Sequence, residues 1–216
     1  EDLVRGRAAL ARRASEMEHE FAFLLIDGMS QREDELTSAL APGLGLMPLF
    51  GGSAGDGHRF QRAYVGLNGQ TFEDAATLVL IRTHCPVKVF SLDNLTSTET
   101  RMAVTRADTT RRLVQEINAE PAAREYARLL GKDPEQLDTF TFAAHPVVVR
   151  FGGTHHVRAI QKVTEEGELM FFSAIDEGLV LTLAEPEDLV EHLGRELGAL
   201  SEAGTLAGII ACDCFL

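Results

Sequence analysis

Three glycines stand among the five residues Gly51-Gly52-Ser53-Ala54-Gly55, and this density constrains the local backbone more than any other feature of the chain. The segment follows the apolar run 46–50 and leads into a second extended stretch, which indicates a loop between two strands. Glycine adopts positive φ angles and lets another segment or a ligand approach the main chain closely. The sequence therefore predicts a tight turn here, with ligand contact at Gly52 and Ser53 as the alternative.

The charge balance excludes one large class of partners. The 216 residues include 33 acidic and 20 basic side chains, for a formal net charge of -13. Because no run of Lys and Arg is long enough to neutralise a phosphate backbone, we expect no nucleic-acid partner. No apolar run is long enough to cross a bilayer, no signal pattern opens the chain, and three cysteines are an odd number for a disulfide framework. We therefore expect a cytoplasmic protein without a membrane partner.

Periodic patterns predict an alternation of helices and strands. Helical spacing with start and stop signals predicts helices over 1–19, 31–41, 121–131 and 186–197. Apolar runs bounded by turn residues predict strands over 21–26, 64–67, 76–81, 87–90, 102–105, 146–151, 155–163, 169–174, 179–183 and 206–215. Asn68-Gly69 predicts a type I′ hairpin turn, and Ser30 with Glu33 predicts a capping box at the second helix.

This order of elements predicts an α/β chain of the α+β kind, built from two lobes. In each lobe we expect a mixed or largely antiparallel sheet covered by helices, because short strands joined by tight turns pair antiparallel. The two lobes are predicted to meet near residue 92, which gives the lobes 1–92 and 93–216. Glu1 lies inside a helical pattern, so we expect the first lobe to be truncated upstream.

The spacing of reactive residues gives little support to enzymatic or metal chemistry. Ser53 fits the literal pattern Gly-x-Ser-x-Gly, but a nucleophile elbow needs a helix after the serine, and the residues after Asp56 have a strand pattern. Cys212 and Cys214 share one face of a predicted strand, yet no second pair of Cys or His stands at metal spacing. We therefore predict neither an enzyme nor a metal site.

Several short motifs follow one another in an order that is known from one family. They are 25–30, 51–56, 68–69, 104–107, 120–122, 144–146, 157–158, 166–167, 176–178 and 212–214. In this order they resemble the FIST (F-box and intracellular signal transduction) sensory family, in both its N-terminal and C-terminal parts and over nearly the whole chain. The stretches Thr83-His84-Cys85-Pro86 and 121–131 look most like the bacterial NosP-type nitric-oxide-sensing haemoproteins.

The resemblance implies an intracellular ligand-binding sensory domain that uses haem to detect nitric oxide. Its partner would be a signalling protein, either a histidine kinase or a cyclic-di-GMP enzyme. His84, Cys85 and His145 are the candidate haem ligands, because imidazole and thiolate are the usual axial donors. The alternative is structural: Cys85 as a small core residue, with His84 and His145 bonded at strand ends. Haem-binding members carry a histidine where this chain has Asn94.

Two other functions fit the same residues. One is a sensor of a small metabolite such as an amino acid, in which the main-chain amides at Gly52 and Ser53 and either Arg106 or Arg158 hold a carboxylate. The replacement of the expected histidine by Asn94 fits this interpretation. The other is a protein-interaction scaffold without a ligand.

Overall fold

The computed structural model describes residues 2–57, 59–91, 94–202 and 204–212, and these form two units. The first unit consists of the chain up to Ser91 together with the segment that starts at Leu206. The second unit consists of the chain between these two parts, up to Thr205. Each unit has its own sheet and helices, which confirms the predicted α+β fold class. The predicted join at residues 92 and 93 lies outside the described ranges, as does Cys214.

The helices are short and the strands numerous. The helices are α1 (Asp2–Arg13), α2 (Glu33–Leu44), α3 (Ala122–Leu130), α4 (Thr139–Ala144) and α5 (Leu189–Glu202). The strands are β1 (His19–Asp27), β2 (Leu49–Ala54), β3 (Val65–Leu67), β4 (Gln70–Phe72), β5 (Ala76–Thr83), β6 (Leu95–Asp108), β7 (Leu113–Ile117), β8 (Glu120–Pro121), β9 (Val147–Phe151), β10 (Thr154–Arg158), β11 (Ile160–Val163), β12 (Leu169–Phe171) and β13 (Val180–Pro186). Across the described ranges, no helix is long and apolar enough to span a membrane.

Strand β1 is the centre of the first unit. It pairs parallel with β2 and antiparallel with β5, in the order β2-β1-β5. Helix α2 connects β1 to β2, because parallel neighbours need a crossover connection. Ala22, Leu44 and Met47 are buried in the core of this unit, and Leu3 of α1 packs on them. Helix α1 thus covers the sheet together with α2.

Residues 51–54 of the glycine-rich segment belong to a strand and residues 55–56 follow it, so the prediction of a loop is wrong for 51–54. Gly51 and Gly52 belong to β2, and Gly51 has a φ of 154°. A Cβ atom at Gly51 would stand 1.8 Å from the carbonyl oxygen of Leu24 on β1. Glycine is therefore required at position 51 because another segment of the chain, strand β1, passes very close to its main chain.

Other local predictions were also wrong. Arg32 is the N-cap of α2 and makes no side-chain capping bond, whereas the Ser30 hydroxyl donates to the Asp27 carbonyl at 2.6 Å. Residues 87–90 and 206–212 form no strand. Pro86 explains part of the first difference, because proline has no N–H to donate to a ladder. The turn at Asn68-Gly69 is confirmed, with φ angles of 52° and 79°.

The sheet of the second unit curves until its two ends meet. Its strand order is β10-β9-β13-β6-β7-β12-β11, and all of the neighbours pair antiparallel. Only Ala159 separates β10 from β11, so the single segment 154–163 pairs with β9 at one end and with β12 at the other. We refer to this segment as the closing strand.

Helix α3 fills the core of the second unit. It follows Pro121 and ends at Gly131, whose φ of 66° suits glycine, as the sequence predicts. The Tyr126 side chain is fully buried against Phe142, and burial raises its pKa. Its hydroxyl donates to the carbonyl of His145 at 2.5 Å. The hydroxyl therefore satisfies a main-chain acceptor at the end of α4.

Gly51 offers a direct test of the β1–β2 pairing. We expect Gly51→Ala to destabilise the protein by about 3 kcal/mol or more, because the new methyl group would collide with the Leu24 carbonyl. Gly55→Ala is the matched control, since nothing lies within 4 Å of the atom it would add. Chemical unfolding followed by circular dichroism measures both variants. Equal stability of the two variants would contradict the close approach.

Candidate functional site

The carboxyl ends of the parallel strands β1 and β2 are the first place to look for a ligand. In open α/β sheets, ligands bind outside this edge. Asp27 ends β1 and is buried, and its two carboxylate oxygens accept from the N–H groups of Met29 and Asp74, each at 2.8 Å. The carboxylate of Asp27 is thus occupied by main-chain donors, so its role is to hold two turns together.

The predicted ligand contacts Gly52 and Ser53 lie exposed on β2, an edge strand. The Ser53 hydroxyl donates to Oε1 of Glu33 at 3.0 Å. Just beyond, the Asp56 carboxylate accepts from the N–H groups of Phe60, Gln61 and Arg62 at 2.7 to 3.2 Å. These bonds, led by the one from Gln61, lower the pKa of Asp56. The amides of Phe60, Gln61 and Arg62 are thus bound to Asp56 and are not open to a carboxylate ligand.

A shallow cavity of about 220 Å³ lies beside this edge and is lined in part by Ser30, Arg32 and Asp74. Arg32 donates to Glu35 through Nε and Nη2, both at 2.8 Å. These bonds raise the pKa of Arg32 and lower that of Glu35. Because a carboxylate of the protein already occupies the guanidinium, this cavity offers little to an anionic ligand.

The predicted haem ligands His84 and Cys85 follow β5 in a segment without regular structure. Both side chains are exposed, and the thiol of Cys85 is free. The Cys85 N–H donates to the Thr83 hydroxyl oxygen at 3.1 Å, which fixes the main chain at this point. Within the described part of the chain, no three His, Cys, Asp or Glu residues are grouped closely enough to hold a metal ion.

His145, the third predicted haem ligand, belongs to the second unit and caps the C-terminal end of α4. Its N–H donates to the Thr141 carbonyl at 3.0 Å, and its own carbonyl accepts the Tyr126 hydroxyl. The main chain of His145 therefore has a structural role. Its imidazole is half-buried.

The two predicted carboxylate-binding arginines differ in what they contact. Arg106 on β6 lies opposite Glu116 on β7, and its Nη2 atom is 3.0 Å from Oε1 of Glu116. Arg158 ends β10, is half-buried, and donates from Nη1 to the carbonyl of Val157 at 3.1 Å. Among the residues with described positions, no carboxylate pairs with Arg158, and its buried Nε has no acceptor. Of these two arginines, Arg158 is therefore the one whose N–H groups are open to a ligand.

Sequence reasoning missed Ser173, which stands two residues after the end of β12. Ile160 pairs with Phe171, and the Phe172 N–H donates to the Ala159 carbonyl at 3.0 Å. Arg158 directly precedes Ala159 and Ser173 directly follows Phe172, so the two residues flank this hydrogen bond. The Ser173 hydroxyl oxygen is buried and has no hydrogen-bond partner in the described ranges. No local pattern could have found this pair, because it depends on strand register.

Arg112 is a further polar residue that contacts the chain at the end of β12. Arg112 is buried, precedes β7, and donates from Nη1 to the carbonyl of Phe172. The Phe171 N–H in turn donates to the Arg112 carbonyl at 2.9 Å. We call Arg112, Arg158 and Ser173 the β12 cluster. Arg158 and Ser173 supply a guanidinium and a hydroxyl, which are donors suited to an oxyanion, whereas Arg112 makes contacts within the protein.

Comparison with known proteins identifies the family. Residues 2–120 match the model of the FIST N domain, and residues 122–216 match that of the FIST C domain. No curated protein and no solved structure gave a significant match. The two family matches together cover nearly the whole chain. The chain therefore belongs to the FIST family, whose domains are sensory domains of signal transduction rather than catalytic ones.

Proposed function

We propose that this domain senses a small metabolite that carries a carboxylate, such as an amino acid, and transmits its binding to a signalling protein. The observation that carries the proposal is the half-buried Arg158, which has no carboxylate partner in the described structure and has a buried Nε without an acceptor. Membership in a sensory family supports the signalling role. Arg158 and Ser173 of the β12 cluster would hold the carboxylate.

The energetics favour an anionic ligand at this place. A buried donor without an acceptor costs about 1 to 3 kcal/mol, and more when the group is charged. A carboxylate offers two oxygens to the fork of N–H groups on a guanidinium, which makes the pair geometrically specific. A carboxylate ligand would gain less free energy at Arg106, because Glu116 already pairs with Arg106 at the surface. The metabolite is therefore expected to use Arg158 in preference to Arg106.

The position of Arg158 in the fold suggests how binding is transmitted. It stands on the closing strand, immediately before Ala159 separates β10 from β11. A ligand that joins Arg158 to Ser173 would stabilise the pairing of the closing strand with β12. At a ligand concentration of 100 times Kd, binding stabilises the occupied state by about 2.7 kcal/mol, which is enough to shift a two-state equilibrium. The closed sheet would thus become the signalling state.

Arg158→Met tests the proposal against Arg106→Met, which removes the same charge from the same unit. Isothermal titration calorimetry with amino acids and short monocarboxylates measures both. We expect a loss of affinity of about tenfold or more for Arg158→Met and of less than about threefold for Arg106→Met, because a charge-assisted bond to a carboxylate is worth about 1.5 to 3 kcal/mol. Equal binding by the two variants, or no binding by the parent protein, would refute the proposal.

Haem-based nitric oxide sensing is the second candidate. The free, exposed thiol of Cys85 between His84 and Pro86 favours it, because thiolate and imidazole are both axial donors to haem iron. The donors fit, whereas the exposure of both side chains differs from the apolar pocket that haem requires. His84 or Cys85 would supply the axial bond, and haem would supply the binding of nitric oxide. The partner would then be a histidine kinase or a cyclic-di-GMP enzyme.

A spectroscopic titration decides the haem candidate. If it holds, adding haem shifts the Soret band in the parent protein, and His84→Ala or Cys85→Ser abolishes the shift. His156→Ala is the control, since His156 is an exposed histidine on β10 in the second unit. A Soret band that stays at the position of free haem in the parent protein excludes this candidate and leaves the metabolite proposal intact.

A further inference from the structure

An open cavity of about 470 Å³ lies at the surface of the first unit, and none of its lining residues belongs to the β12 cluster. Its lining comes from α1, β1, β5, the C-terminal part of α2 and the turn before β1. Ala8 and Ala11 of α1 form a small apolar wall, and Arg7, Glu18, Glu20 and Arg82 supply the charges. Its volume lies within the range of about 300 to 1,000 Å³ that is usual for small-molecule sites.

Arg7 uses its charge within the protein. Its Nη1 donates to the carbonyls of Gly43 and Leu44 at 2.8 and 2.6 Å. These carbonyls lie at the C-terminal end of α2, where no further helical N–H groups are present to bond them. Its Nη2 pairs with Oε1 of Glu20 at 2.8 Å. Arg7 therefore joins α1 to α2 and to β1, and it takes the carboxylate of Glu20.

Arg82 is left without a carboxylate by this arrangement. It stands directly opposite Glu20 in the antiparallel register of β1 and β5. Its one hydrogen bond to a residue of described position runs from Nη2 to the carbonyl of Met17, at 2.6 Å. Within the same described ranges it makes no ion pair, and its buried Nε has no acceptor. Of the two arginines that line the cavity, only Arg7 forms an ion pair with a residue of described position.

We propose that this cavity is a binding site for a small organic monocarboxylate, with Arg82 as the main anchor. The carboxylate would supply the negative charge that Arg82 lacks, and the alanines of α1 would contact a short apolar chain. Glu18 and Glu20 line the same cavity and repel every anion, but they repel a dianion more strongly than a monocarboxylate. The site therefore selects monocarboxylates or zwitterions over sulfate and phosphate.

This site is independent of the one proposed at Arg158. It belongs to the first unit and shares no residue with the β12 cluster. Its anchor, Arg82, is half-buried on β5 and donates to the carbonyl of Met17, which lies between α1 and β1. A ligand held there contacts α1 and β5 together, so binding would strengthen the attachment of α1 to the sheet.

Calorimetric titration with butyrate, and separately with sulfate, tests the proposal. We expect Arg82→Gln to weaken the binding of butyrate at this site by about tenfold or more, because one charge-assisted contact is lost. Arg13→Gln is the matched control, because Arg13 is exposed on α1 and does not line the cavity. We expect this variant to bind butyrate as the parent protein does. Sulfate should bind more weakly than butyrate.

A second variant guards against loss of folding. Ala11→Leu leaves every charge in place and takes up part of the cavity, so we expect a folded protein, by circular dichroism, that binds butyrate more weakly at this site. Butyrate binding that survives both Arg82→Gln and Ala11→Leu but disappears in Arg158→Met would overturn this proposal and leave the function proposed above standing. Binding that Arg82→Gln alone reduces, with Arg158→Met unchanged, supports this site and removes the other.

Discussion

The first unit depends on the guanidinium of Arg7. This one group contacts the carbonyls of Gly43 and Leu44 at the end of α2 and the carboxylate of Glu20 on β1. Each hydrogen bond from a charged group contributes about 1.5 to 3 kcal/mol, so these contacts stabilise the packing of α1 on α2 and β1. Arg82 lies opposite Glu20 but forms no ion pair with it, because the carboxylate of Glu20 pairs with Arg7. The charge that holds the helices in place thereby leaves a second charge available to a ligand.

The second unit also contains a half-buried arginine without a carboxylate partner of described position, Arg158. Its sheet meets itself along the closing strand, and Arg158 stands at the residue before the change of partner. Arg112 is tied to the carbonyl of Phe172, while the hydroxyl of Ser173 has no partner in the described ranges. Exposed pairs such as Arg62 with Glu73 stabilise the fold little, and the guanidinium in such a pair is already bound to a carboxylate of the protein. Unpaired arginines in half-buried positions are thus the chemical feature that the two units have in common.

The sequence predicts elements whose signals are local. Helix α3 has Pro121 at its start and Gly131 at its end, and the hairpin between β3 and β4 has Asn68-Gly69. The prediction for 51–56 was wrong because the reason for Gly51 lies on β1, far away in the chain, where Leu24 approaches its main chain. A local signal cannot show which distant strand needs the space that a side chain would fill.

The candidate sites show the same limit. Arg158 could be named from the sequence, whereas Ser173 and Arg82 could not, because their importance comes from register and from the partners that other residues take. Glu20 lies opposite Arg82 yet pairs with Arg7, and no spacing rule predicts that choice. The order of the family motifs, in contrast, identified the FIST family directly, since it depends on many short segments at once.

Nuclear magnetic resonance of the arginine side chains tests most directly the claim that these unpaired guanidinium groups receive the ligand. Their buried Nε–H groups should give resolved signals, which single Arg→Lys variants assign. During a titration with butyrate, the account predicts saturable shifts for Arg82 and Arg158, with Arg62 and Arg106 unchanged. Signals of Arg82 and Arg158 that stay in place, or a linear drift shared by all four arginines, would contradict it.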